Sequence, residues 1–120
     1  MAVSAEFRAF VEDQIGRVAP VRSRRMFGGI GLYSGERFFA IVDDDVLYFK
    51  VDDATRARYE KRRMRPFNPM GTPMNGYWQV PGDVLEDAEE LGTWVREAIA
   101  VAGRSAKPPR SRRSPKRKRA

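Results

Sequence analysis

The stretch Arg37-Phe38-Phe39-Ala40-Ile41-Val42-Asp43-Asp44-Asp45-Val46-Leu47-Tyr48-Phe49-Lys50-Val51 decides the fold. Two runs rich in β-branched and aromatic residues flank three aspartates. Asp side chains bond nearby backbone N–H groups in tight turns, so the stretch predicts an antiparallel hairpin. The first run, Phe38 to Val42, is apolar throughout. A strand of that pattern wants cover on both faces. Upstream, Arg24 to Ser34 reads as a glycine-rich extended segment closed by a Ser34-Gly35 turn, which makes a three-stranded meander.

Outward from the meander the pattern changes to helical spacing. Ser4 can cap a helix with Phe7, Phe10, Val11, Ile15 and Val18 on one stripe, and Pro20 ends it. Asp52 or Asp53 caps a second helix running to about Met64, with few large apolar residues and therefore largely solvated. Pro66 to Pro69 and Gly71 to Pro73 are loop or edge-strand material, because proline cannot serve a central ladder. Gly76 to Pro81 is a short strand. Asp87 opens the last helix with Glu90 at capping-box spacing, and Leu91, Trp94, Val95, Ala98, Ile99 and Ala102 form its apolar stripe. The order helix, three strands, helix, one or two strands, helix predicts an α+β domain of two layers, a mostly antiparallel sheet with helices. Helices then cover one face only. The other would be wet unless a second copy covers it, so a homodimer is expected.

Composition narrows the chemistry. At 120 residues there is room for one core. The chain has no Cys and no His, which removes thiolate nucleophiles, imidazole bases, disulfides and zinc sites of the ordinary ligand types. No apolar run approaches the roughly 20 residues of a membrane-spanning helix, and the N-terminus has no targeting pattern. A cytoplasmic protein without membrane partners, nucleoid-associated at most, is the expectation. Without a paired acid and base, an enzyme is not expected either.

Charge divides the chain in two. Residues 103–120 hold nine of the 23 cations (Arg104, Lys107, Arg110, Arg112, Arg113, Lys116, Arg117, Lys118 and Arg119) and none of the 16 acids. The first 102 residues keep 14 cations against 16 acids, a net charge of −2. The basic segment also carries Pro108, Pro109 and Pro115 and no large apolar side chain. Such a segment cannot bury enough surface to offset the entropy of ordering, so the chain reads as a domain over 1–102 and a disordered basic tail over 103–120. Acid-free clusters of Arg and Lys neutralise phosphates and release counterions without needing a fold. The bland alternative is a solubilising or targeting tail. The second helix adds a further candidate surface, since Arg58, Arg62 and Arg65 fall at i, i+4 and i+7; a solvated charged face is the competing reading.

Other motifs resolve to structure. Gly28-Gly29-Ile30-Gly31 lacks the spacing and the following helix of a dinucleotide fingerprint, and marks a bulge or a close backbone approach. Asp43 to Asp45 and Asp52-Asp53 miss the calcium-loop spacing and suit a turn and a helix cap. Tyr77 and Trp78 could stack on bases, although aromatics in a small domain are usually core. No cofactor or metal ligand set emerges.

Specific residues carry a family resemblance. Arg25-Met26-Phe27-Gly28-Gly29-Ile30-Gly31-Leu32-Tyr33, Phe39-Ala40-Ile41 and Leu47-Tyr48-Phe49-Lys50 resemble the first half of the TfoX/Sxy N-terminal domain. Met64, Phe67, Tyr77-Trp78-Gln79-Val80-Pro81 and Leu91-Gly92-Thr93-Trp94 resemble its second half. The resemblance implies a two-layer α/β domain without a known cofactor and, for the name-giving bacterial members, regulation of competence genes with a cAMP-receptor-type activator. Those members also carry a C-terminal helical domain, where a basic tail is expected here. The combined expectation is a non-enzymatic regulatory or accessory protein holding DNA, mainly without sequence preference, through its tail. The alternative is a protein-interaction module for a transcription partner or a second copy.

Overall fold

The computed structural model describes residues 3–26, 28–69 and 71–105. Within them the chain runs α1 (Ala5–Gly16), β1 (Arg22–Met26), β2 (Gly29–Ser34), β3 (Arg37–Asp43), β4 (Val46–Lys50), α2 (Asp53–Lys61), β5 (Pro66–Phe67), β6 (Met74–Gln79), α3 (Gly82–Leu85) and α4 (Ala88–Ser105). The six strands form one antiparallel sheet in the order β1-β2-β3-β4-β6-β5, with the helices on one face. This is the α+β two-layer fold the sequence predicts.

The deciding hairpin forms as read. Asp44 and Asp45 take φ of 53° and 59°, the left-handed values a two-residue hairpin loop requires at both central positions, and Asp43 pairs with Val46. The glycine-rich segment, expected as one strand, is two. Gly28 at φ 78° turns the chain between β1 and β2, so the meander has four strands. A β-bulge near Leu32/Tyr33 pairs Leu32 with Ala40 but Tyr33 with Phe38, leaving Phe39 as an extra residue. Phe39 and Ala40 consequently both join the helix-side core, while Phe38 belongs to the opposite face.

The principal core lies between sheet and helices. Ile30, Leu32, Val42, Leu47 and Phe49 of the sheet meet Val11 and Ile15 of α1 and Leu91, Trp94, Val95 and Ala98 of α4. Full burial of each Val, Leu, Ile or Phe side chain among these contributes about 1.5–3 kcal/mol. The α4 stripe is the expected one with Val101 added, and α4 runs on to Ser105, so Gly103 and Arg104 are helical. In α1, Ser4 caps as predicted, its side chain accepting from the Phe7 amide, but Phe10 points outward and is 40% exposed. Asp52 and Thr55 complete a capping box at α2, which stops at Lys61 instead of continuing to Met64. The reversal is at Arg63, with φ 62°. Pro66–Phe67 is an edge strand, and β6 begins at Met74, two residues earlier than expected. The single turn α3 was not legible in the sequence.

Candidate nucleic-acid interface

Helical spacing puts Arg58 and Arg62 on one side of α2, and that side faces the other helices. The Arg58 guanidinium donates to Glu97 Oε2 at 2.6 Å and lies 4.9 Å above the Trp94 ring. Trp94 in turn meets Tyr59 edge-on, with centroids 4.8 Å apart. Burial, followed by the nearby Glu97 charge, pushes the Tyr59 hydroxyl well above the ordinary phenol range. Arg62 Nη2 donates to both carboxylate oxygens of Asp83 at 2.8 Å, and this hydrogen bond holds the Asp83 carboxyl below its usual value.

Arg65 does not extend the ridge. Lying beyond the reversal at Arg63, it is exposed, with its backbone carbonyl accepting from the Gln79 amide at 2.9 Å. The three arginines expected along one helix face are therefore not brought together. Arg58 and Arg62 tie α2 to α4 and α3, and Arg65 stands apart.

Of the expected tail cations, Arg104 is placed by α4. Its guanidinium donates to Asp52 Oδ2 at 2.8 Å, joining the C-terminal turn of α4 to the N-cap of α2. The Arg104 hydrogen bond, with the Thr55 amide second, draws the Asp52 carboxyl down to about 2. Lys107, Arg110, Arg112, Arg113, Lys116, Arg117, Lys118 and Arg119 lie outside the described residues. Other body cations are paired locally: Arg8 with Glu12, Arg17 with Asp13, and Arg56 with Asp53 and Glu60.

The aspartate clusters serve the backbone. Asp45 Oδ1 accepts from the Ser4 amide at 2.7 Å, and Asp52 caps α2. Among the described residues no group of three carboxylates gathers where a metal ion could sit. A cleft of about 140 Å³ between Phe7, Leu47, Val80 and Leu85 presents one carboxylate, Asp45.

A different set of cations lies against aromatic rings. Antiparallel register places Arg22 opposite Tyr33, Tyr33 opposite Phe38, Ile41 opposite Tyr48 and Lys50 opposite Tyr77, all on the sheet face turned away from the helices. Tyr33 and Phe38 stack at 5.0 Å, Phe38 and Tyr77 lie 5.6 Å apart, and Tyr48 meets Phe67 at 4.9 Å. Arg22 and Arg24 sit 5.2 and 6.0 Å from the Tyr33 centroid, and Lys50 Nζ is 4.8 Å from that of Tyr77. Sequence reading missed this surface. The i, i+2 spacing of Arg22 and Arg24 was the available signal, but only the register shows that they share a face with Tyr33. Trp78, considered for stacking, points into the core and donates its indole N–H to the Asn75 carbonyl.

No helix among the described residues is long and apolar enough to cross a membrane. Residues 13–102 match the family model of the TfoX N-terminal domain. A protein from Spirochaeta aurantia, described as an uncharacterized 12.7 kDa protein in the trpE 5′ region, is 36% identical over 105 residues, covering 84% of each chain.

Proposed function

Because the chain belongs to the TfoX N-terminal domain family, a competence-related regulatory family, we propose that it is a non-enzymatic accessory regulator that associates with DNA by charge through its C-terminal basic segment. The observation that carries this reading is the division of cations. Arg58, Arg62 and Arg104 are each held by a carboxylate of the body, whereas residues 106–120 contain eight cations and no acid. The second group has no acid within its own stretch of sequence. Such binding is sequence-tolerant, because phosphate contacts position a protein without reading bases. A partner that does read sequence, of the transcription-activator kind, fits this arrangement.

The test is a salt titration of duplex DNA binding with the full chain and with a chain ending at Ser105. If six cations reach phosphates, log K for the full chain falls with log salt at a slope of about −5. The shortened chain should lose most of its affinity at about 50 mM salt, where phosphate contacts dominate. Equal affinity of the two chains across ionic strength would overturn the assignment to the segment.

A further inference from the structure

We propose that the helix-free face of the sheet is a stacking platform for unpaired bases, so that the body binds single-stranded nucleic acid at a site separate from the C-terminal segment. The inner and outer faces differ in composition. Aliphatic side chains dominate the sheet's contribution to the helix side, whereas the outer cluster of Ile41, Phe67 and Tyr77, bordered by Phe38 and Tyr48, is mostly aromatic and contains no helix residue. Tyr33, Phe38 and Tyr48 are only half-buried, so their rings keep accessible surface. A satellite core would need apolar bulk alone. Here Arg22 and Arg24 sit over Tyr33 and Lys50 over Tyr77, bringing positive charge onto the aromatic surface.

That pairing suits single strands. Bases stack on aromatic rings and on guanidinium planes, while neighbouring cations follow the backbone phosphates. From β2 to β4 the platform spans two strand spacings, about 10 Å, comparable to sheets that stack two or three bases. Gly31 lets the Met26 and Phe38 side chains pack across the strand: an added Cβ there would lie 2.6 Å from Met26 Cε and 2.9 Å from Phe38 Cε1. Opposing charge among the described residues comes from Asp43 and Asp44 at the hairpin end, which, after burial, push the Tyr48 hydroxyl up.

A second copy is the less suitable occupant. Twofold pairing sets the same patch on both sides, so Arg22, Arg24 and Lys50 would be buried together with their own mates. A polyanion relieves that charge.

The experiment uses the full chain at about 0.3 M salt, where counterion-release binding by the C-terminal segment is weak. Labelled dT and rU oligomers, and a duplex of equal length, are titrated into wild type, Tyr33→Leu and Phe38→Leu. Leucine keeps apolar bulk and removes the ring. Each variant should bind the single strands roughly 5- to 100-fold more weakly, with duplex binding unchanged. Backbone amide spectra give a second readout on wild type, with dT or rU expected to shift signals in β1 to β4. Shifts confined to residues beyond 105, or variants that fold yet bind single strands like wild type, would overturn the proposal. So would a concentration-dependent dimer abolished by Tyr33→Leu without any effect of oligomers. Loss of duplex binding on truncation concerns only the C-terminal segment, so the two readings fail separately.

Discussion

At the scale of single residues, close backbone approach is the most exacting demand. The Cβ that alanine would add at Gly29 sits 2.5 Å from the Val42 carbonyl oxygen, a ladder atom that cannot rotate away. Gly29→Ala should therefore destabilise by about 1–3 kcal/mol in urea unfolding. Gly16, with nothing within 4 Å of an added Cβ, is the control: Gly16→Ala should be neutral or slightly stabilising. An unchanged midpoint for Gly29→Ala would contradict the geometry. The sequence marked this run as a bulge or close approach, and which glycine is pressed depended on register. Ser4 and Asp52 were legible as caps because a cap is a local contact, three residues from its partner. Phe10 was misplaced on the stripe because helical spacing gives an angle and not the width of the surface that α1 buries.

Between elements, long side chains decide which helix end meets which. Arg104 at the end of α4 and Asp52 at the start of α2 are 52 positions apart, and their contact joins two termini with complementary dipoles. The Asp52 carboxyl, at about 2 when folded, lies below its unfolded value of about 3.9, so the linkage stabilises the fold fully above the unfolded value and is lost as pH falls through the folded one. In an NMR titration of the side-chain carboxyl, Asp52 should have its midpoint near 2, rising in Arg104→Ala towards the ordinary range, with the Thr55 amide retaining part of the depression. A midpoint unmoved by that substitution would show that Arg104 does not hold Asp52. Arg58, Arg62 and Arg65 illustrate the opposite limit of sequence reading. Their spacing was correct for a helix, yet the positive φ at Arg63 ends the alignment, and Glu97 and Asp83 claim the first two.

On the scale of the whole molecule, a body of net −1 over residues 1–105 precedes a segment carrying eight cations over residues 106–120. Both apolar clusters are built from residues that precede 103, so a chain ending at Ser105 should unfold within about 0.5 kcal/mol of the full chain. A markedly lower urea midpoint would mean that the segment contributes to the fold as well as to binding. Sequence alone determined the α+β class, the hairpin at Asp43 to Asp45, the last helix and the concentration of positive charge, because these follow from periodicity, turn chemistry and composition, which are local along the chain. Tertiary structure decided which cations are neutralised and which share a surface with aromatic rings. Strand register, the bulge at Phe39 and the packing of α2 bring together residues far apart in sequence, and no local pattern encodes those distances.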